Sequence, residues 1–243
     1  MKVIAIIQAR LGSTRLPGKV LKDIGGETML ARVIRRSQSA SLLDEVIVAT
    51  TIQPDDKEIV SECEKLGVQV FRGSELDVLD RYYQTAMYYK ADVIVRITSD
   101  CPLIDGEVVD KIITVFNEKK ADYAGNGLER TYPRGLGAEV MTIAALERTR
   151  KEASKDYERV HVTPYMYENP QIFKLASVTN EINYSYYRWT VDTQEDLDFV
   201  RAVYVNLGNR GDFSWCEVLE LLEKNPELAE INKDIHQKNI EEC

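Results

Sequence analysis

KVIAIIQARLGSTRLPGK, residues 2 to 19, carries the reading of the fold. Its first part, Lys2 to Gln8, is a continuous apolar run rich in β-branched side chains. Such a run suits a strand buried on both faces, as in a parallel sheet covered by helices on each side. Farther along, Glu45 to Thr50 (EVIVAT), Val68 to Phe71 and Asp92 to Thr98 (DVIVRIT) read as further strands of this kind. Helical stretches separate them. Thr28 to Ser39 places Leu30, Val33 and Ile34 on one face with basic residues opposite. Pro54 opens a second helix, at the position where a missing N–H costs least, and Ile59, Val60, Cys63 and Leu66 line its inner side. Leu76 to Tyr89 turns Leu79, Tyr82, Tyr83 and Ala86 inward, and a later helix carries Val108, Val109, Ile112, Ile113 and Phe116. This alternation predicts βαβ units with right-handed crossovers: an α/β fold on a mostly parallel sheet flanked by helices.

The pattern loosens after Tyr123. Residues 125 to 137 (GNGLERTYPRGLG) read as a glycine-rich loop, Ala138 to Met141 as a short strand, and Lys155 to Glu168 as a helix interrupted by Pro164. Order returns with a strand at Arg188 to Val191, a helix at Thr193 to Leu207, and two helices near Trp215 and Leu228. The expectation is a single domain over residues 1–243, with 125–180 as a small inserted lobe for acceptor binding or dimerisation.

The length of 243 residues, with 44% apolar and 29% charged side chains, is ample for a buried core without a metal or disulfide staple. Cys63, Cys101, Cys216 and Cys243 show no metal-type spacing and read as reduced thiols. The apolar run Val3 to Ile7 is too short for a signal peptide or a membrane span, so a cytoplasmic protein without a membrane partner is expected. A net charge of −9 argues against a nucleic acid polymer as partner. The charge is uneven, however. Met1 to Lys22 holds five cations (Lys2, Arg10, Arg15, Lys19, Lys22) and no acid, a basic island suited to a compact polyanion such as a nucleoside triphosphate.

Chemistry concentrates in three segments. The first is QARLGSTRLPGK, Gln8 to Lys19, which leaves the first strand. Its glycines and small polar residues free backbone N–H groups to meet phosphate oxygens, while Arg10, Arg15 and Lys19 add fixed cations. Neither GxxxxGK[ST] nor GxGxxG is present, so phosphate-loop hydrolase and dinucleotide readings lose support. The second is TSDCPLID, Thr98 to Asp105, at the carboxyl end of a strand, where ligands of open α/β sheets collect. Asp100 is either a Mg²⁺ carboxylate or simply the end of the strand before Pro102, and Asp105 suits the N-cap of the following helix. The third is RWTVDTQEDL, Arg188 to Leu197. Asp192 there is a second metal carboxylate, a helix N-cap paired with Glu195 three residues on, or both. Glu139 and His161 are candidates for acceptor contact. Tyr165, Tyr167, Tyr184, Tyr186 and Tyr187 serve packing, a pocket wall or a subunit interface.

IIQARLGSTRLPGKVLKDIGG resembles the signature loop of the cytidylyltransferases that make CMP-Kdo and CMP-sialic acids. EVIVATT, TSDCPLID and TVDTQEDL follow in that family's order, and PRGLGAEV and VHVTPY are similar to elements of its spore coat polysaccharide branch. The resemblance implies a Rossmann-like nucleotidyltransferase fold (GT-A-like) that uses CTP and Mg²⁺ and forms a homodimer. Carried over by motif, Arg10, Leu11, Gly12, Ser13, Arg15 and Lys19 would hold the triphosphate, and Asp100 and Asp192 the metal. Thr98 and Arg72 fall near positions of nucleotide contact, and Lys19, Arg10 and Asp100 would carry catalysis. The chain departs from its relatives at Gly137, where they often have Asp, and at Trp189-Thr190-Val191, which lacks a paired-Asp metal motif. The implied reaction is transfer of CMP from CTP to a sugar-like or phosphorylated acceptor. The alternatives are a GT-A-type glycosyltransferase, disfavoured by the lack of a DxD pair at Asp100 or Asp192, and a nucleotide-binding domain without turnover.

Overall fold

The computed structural model describes residues 1–237. Its centre is β1 (Val3–Gln8), which pairs in parallel with β4 (Glu45–Thr51) on one side and β6 (Val93–Thr98) on the other. β5 (Gln69–Gly73) continues the parallel part beyond β4. On the β6 side the sheet changes direction: β8 (Glu139–Thr142) runs antiparallel to β6, β7 (Tyr123–Gly125) antiparallel to β8, and β9 (Leu175–Ser177) parallel to β7. The resulting order, β5-β4-β1-β6-β8-β7-β9, is the mostly parallel sheet expected from the strand runs. A two-stranded ribbon, β2 (Asp23–Ile24) and β3 (Glu27–Thr28), lies apart from it.

The apolar runs form strands because both faces of the sheet are covered. Val3, Ala5 and Ile7 of β1 enter one hydrophobic cluster, with α1 (Met29–Gln38), α4 (Gly106–Lys119) and α8 (Gln194–Asn206). Ile4 and Ile6 enter the other, with α3 (Val78–Tyr88) and α5 (Ile143–Glu152). β4 divides in the same way, Val46 and Val48 to the first cluster and Ile47 and Ala49 to the second. α2 (Lys57–Leu66) closes the first face through Ile59 and Cys63. Among the described residues no helix is long and apolar enough to cross a membrane.

Several expectations need correction. Lys155 to Glu168 is two helices, α6 (Asp156–His161) and α7 (Pro164–Tyr167). The break comes at Val162, with φ 74°, and Pro164 starts the second helix instead of interrupting one. Arg188 to Val191 is no sheet strand; it makes one isolated parallel bridge, Arg134 to Arg188. Near Leu228 there is a short 3₁₀ turn, Pro226–Ile231, following α9 (Trp215–Lys224). The basic face of α1 is also not a solvated one. Arg32 and Arg36 are buried, and they donate to the carbonyls of Ile24, Gly25 and Asn209 and of Ile104, Gly211 and Phe213, respectively. They cross-link the helix to the β2–β3 ribbon and to loop carbonyls, a job for a many-donor guanidinium. Segment 125–180 supplies β8 and β9 to the main sheet, and α5 and α6 pack on α3.

Two features of this half bear on the site. Arg96 of β6 and Glu139 of β8 are register partners and form a buried ion pair. The Glu139 carboxylate also accepts from Tyr123 Oη at 2.6 Å and Thr163 Oγ1 at 2.7 Å. Burial alone would raise its pKa, but Arg96 and the two hydroxyls outweigh that and hold it below the usual 4.5. The second feature is Gly135, at φ 114°. A Cβ there would lie 2.6 Å from the Trp189 carbonyl carbon and 2.7 Å from the Thr190 nitrogen. Only glycine lets loop 125–137 lie against residues 187–190, where Arg134 N–H donates to Tyr187 O at 3.0 Å and Trp189 N–H to Arg134 O at 2.6 Å.

Gly135→Ala should therefore lower the unfolding free energy by about 2 kcal/mol or more, the sum of left-handed backbone strain and backbone overlap; urea denaturation measures it. Glu139→Gln should be costly near neutral pH, by about 1–3 kcal/mol, because the part-buried Arg96 loses its counter-charge. A carboxyl lowered by folding stabilises fully above its unfolded value and loses that stabilisation as pH falls through the folded one. The gap between wild type and Glu139→Gln in denaturation midpoint should thus be widest above pH 4.5 and narrow below it.

Candidate active site

The loops that leave the carboxyl ends of β1, β4 and β6 meet at one edge of the sheet, and the loop from β1 is shaped by its own residues. Leu16 and Val20 are buried and pin it down. Gly18 N–H closes it onto Leu11 O at 3.2 Å, and Ser13 N–H donates to Leu11 O at 2.7 Å. Asp56 anchors it from beside β4: its carboxylate accepts from Leu11 N–H at 2.8 Å and from the backbone N–H and hydroxyl of Thr51. Gly18 then takes a left-handed conformation, φ 65°, and starts the 3₁₀ turn Lys19–Leu21. That turn aims Lys19 back across the sheet edge.

Lys19 Nζ lies 3.1 Å from Asp100 Oδ2, 3.0 Å from Asp192 Oδ1 and 2.8 Å from Val191 O. The three donors of the ammonium thus have three acceptors. Thr98 Oγ1 holds the other Asp100 oxygen at 2.6 Å. Asp192 Oδ1 also meets Arg15 at 2.9 Å, and its Oδ2 meets Arg188 at 2.9 Å. The two Asp segments are strapped together, since Val191 N–H and Thr190 Oγ1 both donate to Asp100 O, at 2.8 and 3.1 Å. Burial would lower the Lys19 pKa, yet Asp100 and Asp192 raise it above 10.5; burial would raise that of Asp100, yet Lys19 and Thr98 lower it below 3.8. Lys19 and Asp100 are thereby held ionised.

Asp192 does not cap a helix. The N-cap of α8 is Thr193, whose hydroxyl accepts from Asp196 N–H, and Asp196 accepts in return from Thr193 N–H. Thr193-x-x-Asp196 is a capping box one residue beyond the pair read from the sequence, and it leaves the Asp192 carboxylate to face the site. Asp105 does cap α4, accepting from Glu107 N–H and Val108 N–H.

Two cavities flank this cluster. The first, about 680 Å³, is lined by Arg10, Leu11 and Gly12 with Pro17, Gly18, Lys22, Gln53 and Glu75. Arg10 lies at its mouth, largely exposed, 4.0 Å from Glu75. The second, about 630 Å³, is lined by Arg15, Thr98, Asp100, Asp192, Glu139 and His161, with Arg130, Arg134, Thr163 and Tyr167. The structure therefore splits the sequence candidates into two groups with Lys19 between them. Ser13 lines neither cavity; its hydroxyl accepts from Leu16 N–H. Arg72 also lines neither, since it donates to Thr51 O at 2.9 Å and Gln53 O at 2.8 Å and braces the end of β4. Of the five tyrosines singled out, Tyr167 lines the second cavity, while Tyr184 packs on Trp215 and Tyr187 on Trp189.

Sequence reading missed Asp56, Arg188, Arg130 and Arg134. Arg188 forks onto Asp196 at 2.8 and 3.0 Å and so orients Asp192. No signal in the sequence could have found it, since the i,i+4 rule applies to helices and Arg188 to Asp192 is not helical. Arg130 and Arg134 sat within a loop read only for its glycines.

Comparison with known proteins agrees with this architecture. Residues 4–237 match the cytidylyltransferase family. An uncharacterized protein of Methanocaldococcus jannaschii is 41% identical over 100% of this chain and 99% of its own length. The spore coat polysaccharide biosynthesis protein SpsF of Bacillus subtilis is 34% identical over 93% of this chain and 96% of its own. The solved structure of a cytidylyltransferase from Leptospira borgpetersenii superposes with a TM-score of 0.91 at 35% identity, covering 98% of this chain and 100% of that one. The chain, with the lysine of its signature loop bonded to Asp100 and Asp192, belongs to the cytidylyltransferase family.

Proposed function

We propose that this chain transfers CMP from CTP to an oxygen of a sugar or sugar-acid-like acceptor, releasing pyrophosphate, in the synthesis of a surface polysaccharide or glycoconjugate precursor. The observation that carries this reading is the convergence of Lys19, Arg15, Asp100 and Asp192 at the carboxyl ends of β1 and β6, between two cavities. Membership of the family supports the nucleotide, and similarity to the spore coat polysaccharide biosynthesis protein SpsF supports the pathway.

The donor set suits Mg²⁺. Asp100 and Asp192 already direct an oxygen each at one positive point, the Lys19 ammonium, and Mg²⁺ takes one or two carboxylates with phosphate and water completing its shell. Among the described residues no group of three or more His, Cys, Asp or Glu is placed to hold a metal, so the remaining ligands would come from substrate. The ion, when bound, would polarise the acceptor hydroxyl and the α-phosphate.

The rest of the chemistry falls to the chain. In-line attack on the α-phosphorus places growing negative charge on the departing pyrophosphate, so fixed cations do most of the work. Lys19 would neutralise the α-phosphate region, and Arg10 and Arg15 the pyrophosphate. Thr98 and Arg188 hold the two carboxylates in orientation. A homodimer is part of the same proposal, with CTP and one small acceptor as the other partners.

Calorimetry with CTP, UTP, ATP and GTP, with and without Mg²⁺, should show metal-dependent preference for CTP that weakens in Asp100→Ala. If no triphosphate binds, the loop has been misread. Lys19→Ala should lower kcat by about 10²-fold or more in a pyrophosphate-release assay, the scale of losing one preorganised charge. Near-normal turnover would remove Lys19 from the chemistry. Pyrophosphate release also separates this reaction from glycosyl transfer, which releases none.

A further inference from the structure

The second cavity holds more positive charge than its acids can match. Four arginines line it. Arg15 is paired with Asp192 and Arg96 with Glu139. Arg130 and Arg134 make no ion pair with an acid within 4.0 Å among the described residues, although both are half-buried. Both rise from the rigid part of loop 125–137: Asn126 binds Leu136 O and Ala138 N–H across its base, and Gly135 locks it on Trp189. The Arg130 guanidinium sits over Gly127, 3.5 Å from where a Cβ would be, so the cavity wall is open there for want of a side chain. The two cations also burden one another. Burial lowers the Arg134 pKa first, and Arg130 and then Arg188 lower it further. Two half-buried guanidiniums in the wall of one cavity, close enough to act electrostatically on one another, match a planar or tetrahedral oxyanion. Their place matters as well. They belong to the second cavity and not to the first, where Arg10, Leu11 and Gly12 of the signature loop lie.

We infer that Arg130 and Arg134 form an oxyanion subsite in the second cavity that grips a phosphomonoester or carboxylate on the acceptor. Acceptors bearing that group are selected over neutral sugars. The inference rests on the proposed transfer reaction for the word acceptor; the subsite itself is defined without nucleotide. The Arg96–Glu139–Tyr123–Thr163 network on the same cavity wall is polar but internally neutral, which suits it to sugar hydroxyls and leaves the charge recognition to the two arginines.

The test uses the full chain, without CTP, and titrates inorganic phosphate, glucose 6-phosphate, glucuronate and glucose, followed by ligand-observed NMR. Wild type should bind the anionic probes and not glucose. Arg130→Gln/Arg134→Gln should weaken the anions on the order of tenfold or more, the scale of a lost charge-assisted pair. Preference for glucose 6-phosphate or for glucuronate then identifies the anion as phosphomonoester or carboxylate. Single Arg130→Lys and Arg134→Lys variants, which keep the charge and lose the fork, should fall between and serve if the double variant does not fold. CTP affinity, measured in parallel, should stay within about twofold, well under the tenfold step that 1.4 kcal/mol represents. Equal anion binding by wild type and variants, or no anion binding by wild type, overturns the subsite. So does a loss of CTP affinity as large as the loss of the anions, which would assign the pair to the triphosphate. Should wild type bind the anions through these arginines and yet bind no CTP, the subsite stands and the proposed reaction falls.

Discussion

One ammonium holds the catalytic edge of this protein together. Lys19 reaches from the loop after β1 to the loop after β6 and to the segment before α8, which are far apart in sequence. Two carboxylates brought this close would repel one another and resist ionisation if the lysine were absent. Because it is present, the Asp100 carboxyl is held below its usual range, and both acids share a common focus. The rest of the edge follows from that constraint. Leu16 and Val20 must be buried to bring Lys19 into range, Gly18 must turn left-handed to aim it, and Asp56 must fix the far side of the loop. The same arrangement leaves Arg10 outside the carboxylate cluster, exposed and only loosely paired, as a cation free to meet an incoming anion.

The sheet was legible because its strands are covered twice. A strand that contributes Val3, Ala5 and Ile7 to one cluster and Ile4 and Ile6 to the other can have no polar alternation, and apolar runs of this length are hard to mistake. The antiparallel extension was harder. β7 and β9 have three residues each, too few for any periodicity, and β9 joins the sheet only through β7, whose other edge pairs with β8. The segment Arg188 to Val191 has the composition of a strand, yet its backbone bonds go to Arg134 and Asp100. Local propensity cannot register that its would-be partners are loops. The buried face of Arg32 and Arg36 was hidden for a related reason: arginine on a helix reads as solvated until the carbonyls it satisfies are in place.

The site divided in the same way. Lys19 and Asp100 were readable because each follows a strand end, and Asp192 because it directly precedes the start of a helix. Arg72 was placed by motif, but its guanidinium turns to the carbonyls of Thr51 and Gln53, so it shapes the end of β4 where the loop begins. The Asp192 cap was a one-residue misreading. With acids at 192, 195 and 196 and a threonine at 193, two capping boxes compete on paper, and only the backbone direction set by Arg188 and Asp196 selects between them. Arg134 lies in the PRGLGAEV stretch but was given no role there, and Arg130 lies outside it; what marks both is the lack of an ion-paired acid among the described residues, a property of the folded cavity and not of the sequence.

That last point bears on how the two halves of the molecule work together. The backbone that presents Arg134 is bonded directly to Tyr187 and Trp189, three to five residues before Asp192. Asp192 is in turn bonded to Lys19 and Arg15 of the signature loop. A shift of loop 125–137 would therefore be felt at the carboxylate pair through a short run of backbone hydrogen bonds and one glycine contact, with no flexible side chain in between. Interiors packed this closely transmit displacement instead of absorbing it. The loop that carries Arg130 and Arg134 and the edge that carries Lys19 are then parts of one rigid construction, joined at the glycine at 135.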